Sequence, residues 1–468
     1  MPAWRVWSRA QRVLSQRPGI LGCDSGILQN TCRGGNQNSF CEPLASLSQI
    51  GPATSISALL SHCLRFVMPL LRCLLPLVFL CPFAHPSASL GQSVAARWDL
   101  ASDQNAPEVR FGRSVAVSED RVVVGATGDV ANGPKSGAVY FFERAGGGWK
   151  RTKIAPPDGE PAARFGWKVG IDGRRIAVSA PWASNPVAGR SGTIYLYEKT
   201  GGAWQHQLLR VDDPTVNGQI GRGMAMDAGR IVIGAPFDTN ANGTKAGALV
   251  VFEETPDGWT SQTLVPAQGA TDGWFGITVA AGAGRIGAGV YSTRQASGAE
   301  AGAASVFERS TDGTWHERPL TPHVQPKRTD HFGRGLAFHT SHVFVGAEED
   351  DNANGFNAGG VFALRLDSLA AGPRLVIPSD GAPRSYLGYT LTTTEHYLAV
   401  SEDSEVRLFA LGNDGATGGT TLSTLMGEPL PSGVLALAGD GNTLVVGMPF
   451  ANGDHPNTGT VWVVEMAP

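Results

Sequence analysis

The chain has 468 residues, of which 61 are glycine, 30 are proline and 17% are charged, and its formal net charge is -4. Because 42% of the residues are hydrophobic, the chain can bury a sizeable core, which excludes a polyelectrolyte and a disordered chain of low hydrophobicity. The mildly acidic balance also gives no support to a nucleic-acid partner.

The first 89 residues are unlike the rest of the chain. The run MPLLRCLLPLVFLCPFAHPSAS, which begins at Met68, has the layout of a secretory signal peptide over residues 68–89, with cleavage after Ser89. The apolar part of this run is short and is interrupted by Pro76 and Pro82, so we expect no stable membrane span once the signal is removed. Residues 1–67 show no strand or helix periodicity, and we interpret them as an upstream extension outside the native product. The alternative is a long, disordered basic leader with an internal signal anchor.

The cysteines lie only in this leading segment. They are Cys23, Cys32, Cys41, Cys63, Cys73 and Cys81. Their absence after residue 81 excludes a disulfide framework, a thiolate metal site and a cysteine nucleophile there. Seven of the 37 basic and two of the 41 acidic residues lie in residues 1–89, which leaves a mature chain of net charge -9. We expect this mature protein to be secreted, periplasmic or displayed at the cell surface.

One sequence unit recurs from residue 97 to the end of the chain. The aligned copies begin with FGRSVAVSEDRVVVGAT at Phe111, FGWKVGIDGRRIAVSAP at Phe165, IGRGMAMDAGRIVIGAP at Ile220, FGITVAAGAGRIGAGVY at Phe275, FGRGLAFHTSHVFVGAE at Phe332, LGYTLTTTEHYLAVSED at Leu387 and SGVLALAGDGNTLVVGMP at Ser432. Their second-position glycines, or the equivalent in the last copy, are spaced by 54, 55, 55, 57, 55 and 45 residues. The repeat predicts that one supersecondary unit is used seven times.

Each copy predicts four β-strands, which we call A to D in chain order. In the first copy, RSVAV is strand A, RVVVGA is strand B, GAVYFFER is strand C and WKRTKIA is strand D, with turn residues between them. No helical periodicity is found. Four-stranded units at this period are typical of β-propeller blades. We therefore predict an all-β, seven-bladed β-propeller over residues 90–468.

The two ends of the repeat region predict how the ring closes. The chain ends at VWVVEMAP, which is a strand C with no strand D after it. Trp98 stands thirteen residues before Phe111, much as a tryptophan opens strand D in four of the copies. We expect the N-terminal segment around Trp98 to supply the outer strand of the last blade, which removes an exposed break in the ring.

The Phe-Gly pair, followed thirteen residues later by Gly-Ala-Pro as at Gly234, Ala235 and Pro236, resembles the FG-GAP repeats of the integrin α-subunit propeller and its bacterial relatives. The resemblance covers essentially all of residues 97–468. It implies a propeller that displays loops to a partner. Physically, these small residues suit close approach of backbones near a crowded axis and the tight exit of strand B.

The calcium sites of the integrin repeats are not expected here. Those sites use an Asp-rich loop between strands A and B, whereas the A–B turns of this chain read SED, DGR, DAG, GAG and HTS and are too short to wrap a cation. No cofactor is certain, and calcium is a hypothesis for two B–C loops of the form D-x-N-x-N-G. Their candidate ligands are Asp238, Asn240, Asn242, Asp350, Asn352 and Asn354. The favoured alternative is that these side chains bond to their own loops.

Other residue clusters are interpreted as structural. Five histidines, namely His316, His323, His331, His339 and His342, are expected at the surface. Four tryptophans that open strand D, namely Trp149, Trp204, Trp259 and Trp315, are expected to pack against the blades rather than form a carbohydrate platform. No GxSxG, HExxH, P-loop or dinucleotide motif is found, so no catalytic residue is predicted.

The leading functional hypothesis is an exported, monomeric binding or adhesion-type module for a protein or glycan partner. The alternatives are an extracytoplasmic hydrolase or lyase with its site at the central channel, and a structural module. An enzyme would gather Asp, Glu, His or Arg side chains of several blades around one funnel, whereas a binder needs only a rim of loops. We expect the partner on the face of the B–C and D–A loops, because these connections are long and varied.

The signal-like run generates a first prediction. The protein isolated from its source cells should begin near residue 90 and contain no cysteine, because cleavage after Ser89 would remove all six. Intact mass and N-terminal sequencing check this. A natural product that retains the segment from Cys23 to Cys63 would contradict it.

Overall fold

The computed structural model describes residues 93–467, except residues 105, 185–188, 212–214, 216, 268, 291–301, 321–329, 370–371 and 379. The predicted upstream extension (residues 1–67) and signal peptide (residues 68–89) lie outside the described residues, and both stay predictions. In the described part, 28 strands form seven antiparallel sheets of four. The predicted all-β, seven-bladed propeller is therefore confirmed.

The first four blades follow the order of the chain. Blade 1 contains β2 (Phe111–Ser118), β3 (Arg121–Ala126), β4 (Ala138–Ala145) and β5 (Gly148–Ile154). Blade 2 contains β6 (Val169–Asp172), β7 (Arg175–Ala180), β8 (Thr193–Thr200) and β9 (Ala203–Leu209). Blade 3 contains β10 (Gly223–Asp227), β11 (Arg230–Ala235), β12 (Ala248–Thr255) and β13 (Gly258–Leu264). Blade 4 contains β14 (Thr278–Gly282), β15 (Arg285–Val290), β16 (Ala303–Arg309) and β17 (Trp315–Leu320).

The last three blades complete the ring. Blade 5 contains β18 (Leu336–His339), β19 (His342–Ala347), β20 (Gly360–Arg365) and β21 (Arg374–Val376). Blade 6 contains β22 (Leu391–Thr393), β23 (Tyr397–Glu402), β24 (Glu405–Gly412) and β25 (Gly415–Thr421). Blade 7 contains β26 (Ala436–Asp440), β27 (Thr443–Met448) and β28 (Thr460–Met466), and its outer strand is β1 (Val94–Leu100).

The strands of a blade differ in burial according to their place in the ring. The A strands of successive blades contact one another around the central channel. Strands B and C are nearly continuous apolar runs, as in β3, because neighbouring blades cover both of their faces. Strand D is the outer edge, and β5 is mostly exposed or half-buried. Antiparallel pairing places all B–C and D–A loops at one end of the ring and all A–B and C–D turns at the other.

The Phe-Gly pair makes the contact between blades. Phe165 is fully buried between side chains of blades 1 and 2, and its backbone N–H donates to the Ser136 carbonyl of blade 1 over 2.8 Å. Gly166 has φ +87°, and its carbonyl oxygen would lie 2.0 Å from a Cβ placed on Gly125 of strand B. A side chain at either glycine would push the two blades apart.

The ring closes as predicted. Strand β1 pairs with β28 in antiparallel register, with Trp98 opposite Val463 and Leu100 opposite Val461. Trp98 also makes an edge-to-face contact with Trp149 of blade 1, with ring centroids 6.3 Å apart. The N-terminal strand therefore completes blade 7 and binds it to blade 1.

The four strand-opening tryptophans pack as expected. Trp315 is buried, and Trp149, Trp204 and Trp259 are half-buried against the hydrophobic clusters between blades. Trp204 of blade 2, for example, contacts Phe141 of blade 1 edge to face at 5.1 Å. The structure therefore uses these rings to join neighbouring blades.

One short helix departs from the sequence prediction, which included no helix. Helix α1 (Leu422–Met426) follows strand D of blade 6. The Thr421 side chain caps its N-terminus, and Gly427 ends it in the left-handed conformation at φ +73°. Five residues are too few to show helical periodicity in the sequence. Among the described residues, no helix has the length and apolar character needed to cross a membrane.

An asparagine fastens the B–C loop to the D–A connection in three blades. The Asn242 amide donates to the Pro266 carbonyl over 2.7 Å, and the Asn354 amide donates to the Pro378 carbonyl over 2.9 Å. Asn132 makes the same bond in blade 1. These bonds stabilise the loop face, because each joins two long connections of one blade.

Ring closure generates the second prediction. Deletion of residues 90–105 should destabilise the whole ring, because β28 would lose its outer partner strand and the core would lose the buried side chain of Leu100. One fully buried side chain of this size contributes about 1.5–3 kcal/mol. The melting temperature should fall, whereas Asp99→Ser, at an exposed position of β1, should leave it nearly unchanged. An unaltered melting temperature after the deletion would mean that the ring closes in another way.

The asparagine bonds generate the third prediction. Asn242→Ala and Asn354→Ala should each cost about 1 kcal/mol of unfolding free energy, since each removes one amide–carbonyl bond. Chemical denaturation measures this, and Asn413→Ala in an exposed C–D turn is the control.

Calorimetric titration of the same variants with calcium tests the ion hypothesis, because loss of calcium binding at unchanged stability would favour a ligand role instead.

Candidate functional site

One side chain from each blade stands at the same end of the central channel. In blades 1 to 6 the position follows the glycine of the Phe-Gly pair, and in blade 7 it is assigned by the pairing of strands A and B; its occupants from blade 1 to blade 7 are Arg113, Trp167, Arg222, Ile277, Arg334, Tyr389 and Leu435. Every A strand begins at the end of the ring from which the B–C and D–A loops emerge. We call this rim, together with Lys168 beside Trp167, the channel mouth.

The cations of the mouth act on one another across the channel. Arg334 of blade 5 is among the charges that lower the pKa of Arg113 in blade 1, of Lys168 in blade 2 and of Arg222 in blade 3. None of these three blades is a neighbour of blade 5 in a ring of seven. The side chains therefore face a common axis.

Aromatic rings hold two of the arginines in place. The Arg113 guanidinium lies 3.7 Å from the ring centroid of Trp167, and the Arg222 guanidinium lies 4.8 Å from Trp167 and 5.1 Å from Trp182. The two tryptophans contact each other edge to face at 4.7 Å. Stacking on an aromatic face attracts a guanidinium and fixes its plane.

A second group of contacts lies around blade 5. Arg334 donates to the Tyr389 hydroxyl over 2.7 Å, and its Nε lies 3.4 Å from a Glu348 carboxylate oxygen. Nδ1 of His331 lies 3.4 Å from the same carboxylate. Burial opposes a charge on His331, but Glu348 and Glu349 outweigh it and raise the pKa of the imidazole. On this side of the mouth, positive charge is balanced by carboxylates.

The side of the mouth formed by blades 1 to 3 has no such balance. Among the residues that the structure describes, no carboxylate lies within ion-pair distance of Arg113, Lys168 or Arg222. Nε of Arg222 is buried and has no hydrogen-bond partner within this described part of the chain. The result is a concentration of positive charge with unused N–H donors.

Lys168 is the most strongly affected of these groups. Burial, together with Arg113, Arg334 and Arg222, lowers the pKa of Lys168 to about 7. Burial also lowers the pKa of Arg222 to about 10, with Arg334 adding to the effect. Lys168 therefore titrates closer to neutral pH than an ordinary lysine does.

The calcium candidates occupy two equivalent B–C loops, in blades 3 and 5. In blade 3, the Asn240 amide donates to the Gly247 carbonyl over 2.9 Å, and its Oδ1 accepts from the backbone N–H of Asn242. Asp238 accepts from the Thr215 hydroxyl. The oxygens and amides thus serve the loop itself.

The loop of blade 5 repeats this arrangement. The Asn352 amide donates to the Gly359 carbonyl over 2.7 Å, its Oδ1 accepts from the N–H of Asn354, and Asp350 lies 3.3 Å from the same amide. Within the described residues, no group of three or more His, Cys, Asp or Glu side chains could hold a metal ion. The calcium hypothesis for the six loop residues stays a prediction.

The surface expectation for the histidines is wrong for His342. Its side chain is buried in β19, where it stacks on Phe344 and contacts the Ser341 hydroxyl at 2.8 Å. Burial, reinforced by Arg365, lowers the pKa of this imidazole. His316 is exposed as expected, and His323 lies outside the described residues.

The sequence reasoning did not single out the channel mouth. Arg113, Arg222 and Arg334 follow the repeat glycine in three of the seven copies, whereas the other copies carry unrelated residues there. Recurrence of a charged residue at one repeat position next to the predicted axis is the signal that could have indicated the site.

Comparison with known proteins supports the repeat assignment. A family model described as FG-GAP repeat matches residues 99–142 and 149–197, which span blade 1 and much of blade 2. No curated protein matches the sequence. A solved structure with some likeness is that of apo AztD from Citrobacter koseri, which is 11% identical and has a TM-score of 0.39 over 68% of this chain and 73% of that chain. The matched segments are therefore FG-GAP repeats, and they lie in a propeller of seven four-stranded blades.

Proposed function

We propose that this protein is an exported binding module that holds part of a protein or glycan partner at the channel mouth. The observation that carries the proposal is the convergence of Arg113, Lys168 and Arg222 without an acidic partner among the described residues. Burying like charges together costs free energy in the isolated protein. A ligand that satisfies them recovers that free energy on binding.

The surroundings of the mouth also suit a ligand. Trp182 and Phe237 begin the B–C loops of blades 2 and 3, next to Arg222. The residues before the Phe-Gly pair, such as Arg110 and Arg164, adopt φ of 58° and 56°. Positive φ is uncommon outside glycine and is concentrated at functional sites. Long loops, aromatic rings and strained backbone thus meet on the face predicted to bind the partner.

The compartment is part of the proposal. The signal-like run of residues 68–89 supports export, and the cysteine-free propeller region is compatible with any extracytoplasmic compartment. An adhesion-type role is supported by the resemblance of the repeats to the integrin propeller.

A channel-centred enzyme is the second candidate, and one observation favours it. Arginines from several blades do surround one funnel, and Lys168 and Tyr389 add groups that can transfer protons there. A lyase acting on an acidic glycan would leave an unsaturated uronate, which absorbs ultraviolet light. Growth of that absorbance during incubation with acidic polysaccharides would favour this candidate over a binding module.

The binding proposal generates the fourth prediction. On protein and glycan arrays, Arg222→Gln should lose the ligands that the wild-type protein retains, because it removes a central charge of the mouth. Arg174→Gln is the matched control, since this 73% exposed side chain lies in an A–B turn at the opposite end of the ring. Equal melting temperatures would show that both variants fold.

The opposite result would place the binding surface at the other end of the ring. If Arg174→Gln loses the array ligands and Arg222→Gln keeps them, the partner binds the face of the A–B and C–D turns. In that case the channel mouth is not the binding site.

A further inference from the structure

We propose that the group held in the mouth is an oxyanion, either a carboxylate or a tetrahedral sulfate- or phosphate-type group, bound between Arg113, Arg222 and Lys168. This inference rests on the proposed binding at the mouth and names the chemical class of the ligand.

The distribution of charge within the mouth indicates where the anion binds. Arg334 lies 3.4 Å from Glu348, and Arg110 donates to Glu108 over 2.7 Å, so these two cations have carboxylates of their own. The charges that remain unbalanced among the described residues come from blades 1, 2 and 3. An anion is therefore drawn to that side of the mouth rather than to blade 5.

The geometry of the arginines suits oxygen atoms of an anion. Arg113 stacks on Trp167 at 3.7 Å, and Arg222 lies near both Trp167 and Trp182. A guanidinium held by its face keeps its N–H groups in the plane, where they can donate two parallel bonds to a carboxylate or a tetrahedral oxyanion. The buried Nε of Arg222, which has no hydrogen-bond partner among the residues described, adds a donor that such a ligand would satisfy.

Lys168 couples the binding of the anion to a proton. The charged groups that act on it are Arg113, Arg222 and Arg334, which belong to three other blades. Beyond them, Tyr389 and the pair of His331 with Glu348 surround Arg334. A bound anion offsets the arginines and raises the pKa of the lysine from about 7 toward its ordinary value. Affinity is therefore highest below neutral pH and falls as the pH rises through this value, because binding must then take up a proton.

Isothermal titration calorimetry on the whole protein tests the ligand class. The probes are trigalacturonate, inorganic sulfate and the neutral sugar maltotriose. The two anions keep their charge between about pH 6 and about pH 8, so any pH dependence belongs to the protein. Binding by trigalacturonate alone indicates a carboxylate ligand, and binding by sulfate alone indicates a tetrahedral one.

The variants assign the binding to the mouth. Arg113→Gln and Arg222→Gln should each weaken anion binding about tenfold or more, as expected for loss of a charge-assisted hydrogen bond. Lys150→Met, which removes an exposed cation from strand D, should not change the affinity. Circular dichroism and melting temperature confirm that each variant is folded.

Lys168 predicts a pH dependence of the anion affinity that a purely structural residue would not produce. For the wild-type protein, affinity should fall by up to about tenfold between about pH 6 and about pH 8. Lys168→Arg should bind at both pH values without this change, and Lys168→Met should bind weakly at both. Different heats in buffers of different ionisation enthalpy should report the proton taken up at the higher pH.

The outcomes separate this inference from the proposed function. The oxyanion proposal is overturned if neither anion binds at the lower pH, or if maltotriose binds as tightly as the anions. If array ligands still depend on Arg222 in that case, the binding module stands and its ligand is neutral. If no ligand depends on Arg222, the proposed function fails as well.

Discussion

The contact between the Phe-Gly pair of one blade and strand B of the preceding blade is the constraint on which the propeller depends. At Gly234 and Gly289, an added Cβ would lie 1.8 and 2.0 Å from the carbonyl oxygen of the Phe-Gly glycine in the next blade. Only glycine allows this approach, while the adjoining Phe side chain fills the space between the sheets. The spacing of the A strands, and with it the width of the channel, follows from a contact repeated at successive blade junctions.

The same contact explains which side chains can vary at the channel mouth. The phenylalanine and glycine are committed to packing, but the next residue lies at the end of the channel and is free to vary. Blades 1, 3 and 5 use arginine there, at Arg113, Arg222 and Arg334, and blades 2 and 6 use Trp167 and Tyr389. The ring accommodates all of these residues, so packing between the blades does not fix the composition of the mouth.

The pairing of charges at the turn end of the ring differs from that on the blade 1 to 3 side of the mouth. At the end with the C–D turns, cations bond to carboxylates of neighbouring blades, as in the pairs Lys199–Glu143 at 3.2 Å and Arg309–Glu253 at 2.7 Å. These exposed pairs each contribute little, but they leave few charges without a partner. At the mouth, Arg113 stacks on Trp167 near other cations, without an acid within ion-pair distance in the described part of the chain. The proposed binding at the mouth rests on this difference.

Residue patterns alone predicted the all-β class, the seven four-stranded blades, the closing strand around Trp98 and the length of the loops, because strand periodicity, turn residues and repeat spacing are local. Helix α1 was not predicted, because five residues are too few to show helical periodicity. Only the folded ring shows that His342 is buried and that the charge of Arg334 acts on Lys168, although Arg334 lies 166 positions later in the chain. Such neighbours arise from closure of the ring, and the pKa of Lys168 depends on charges that no local pattern brings together.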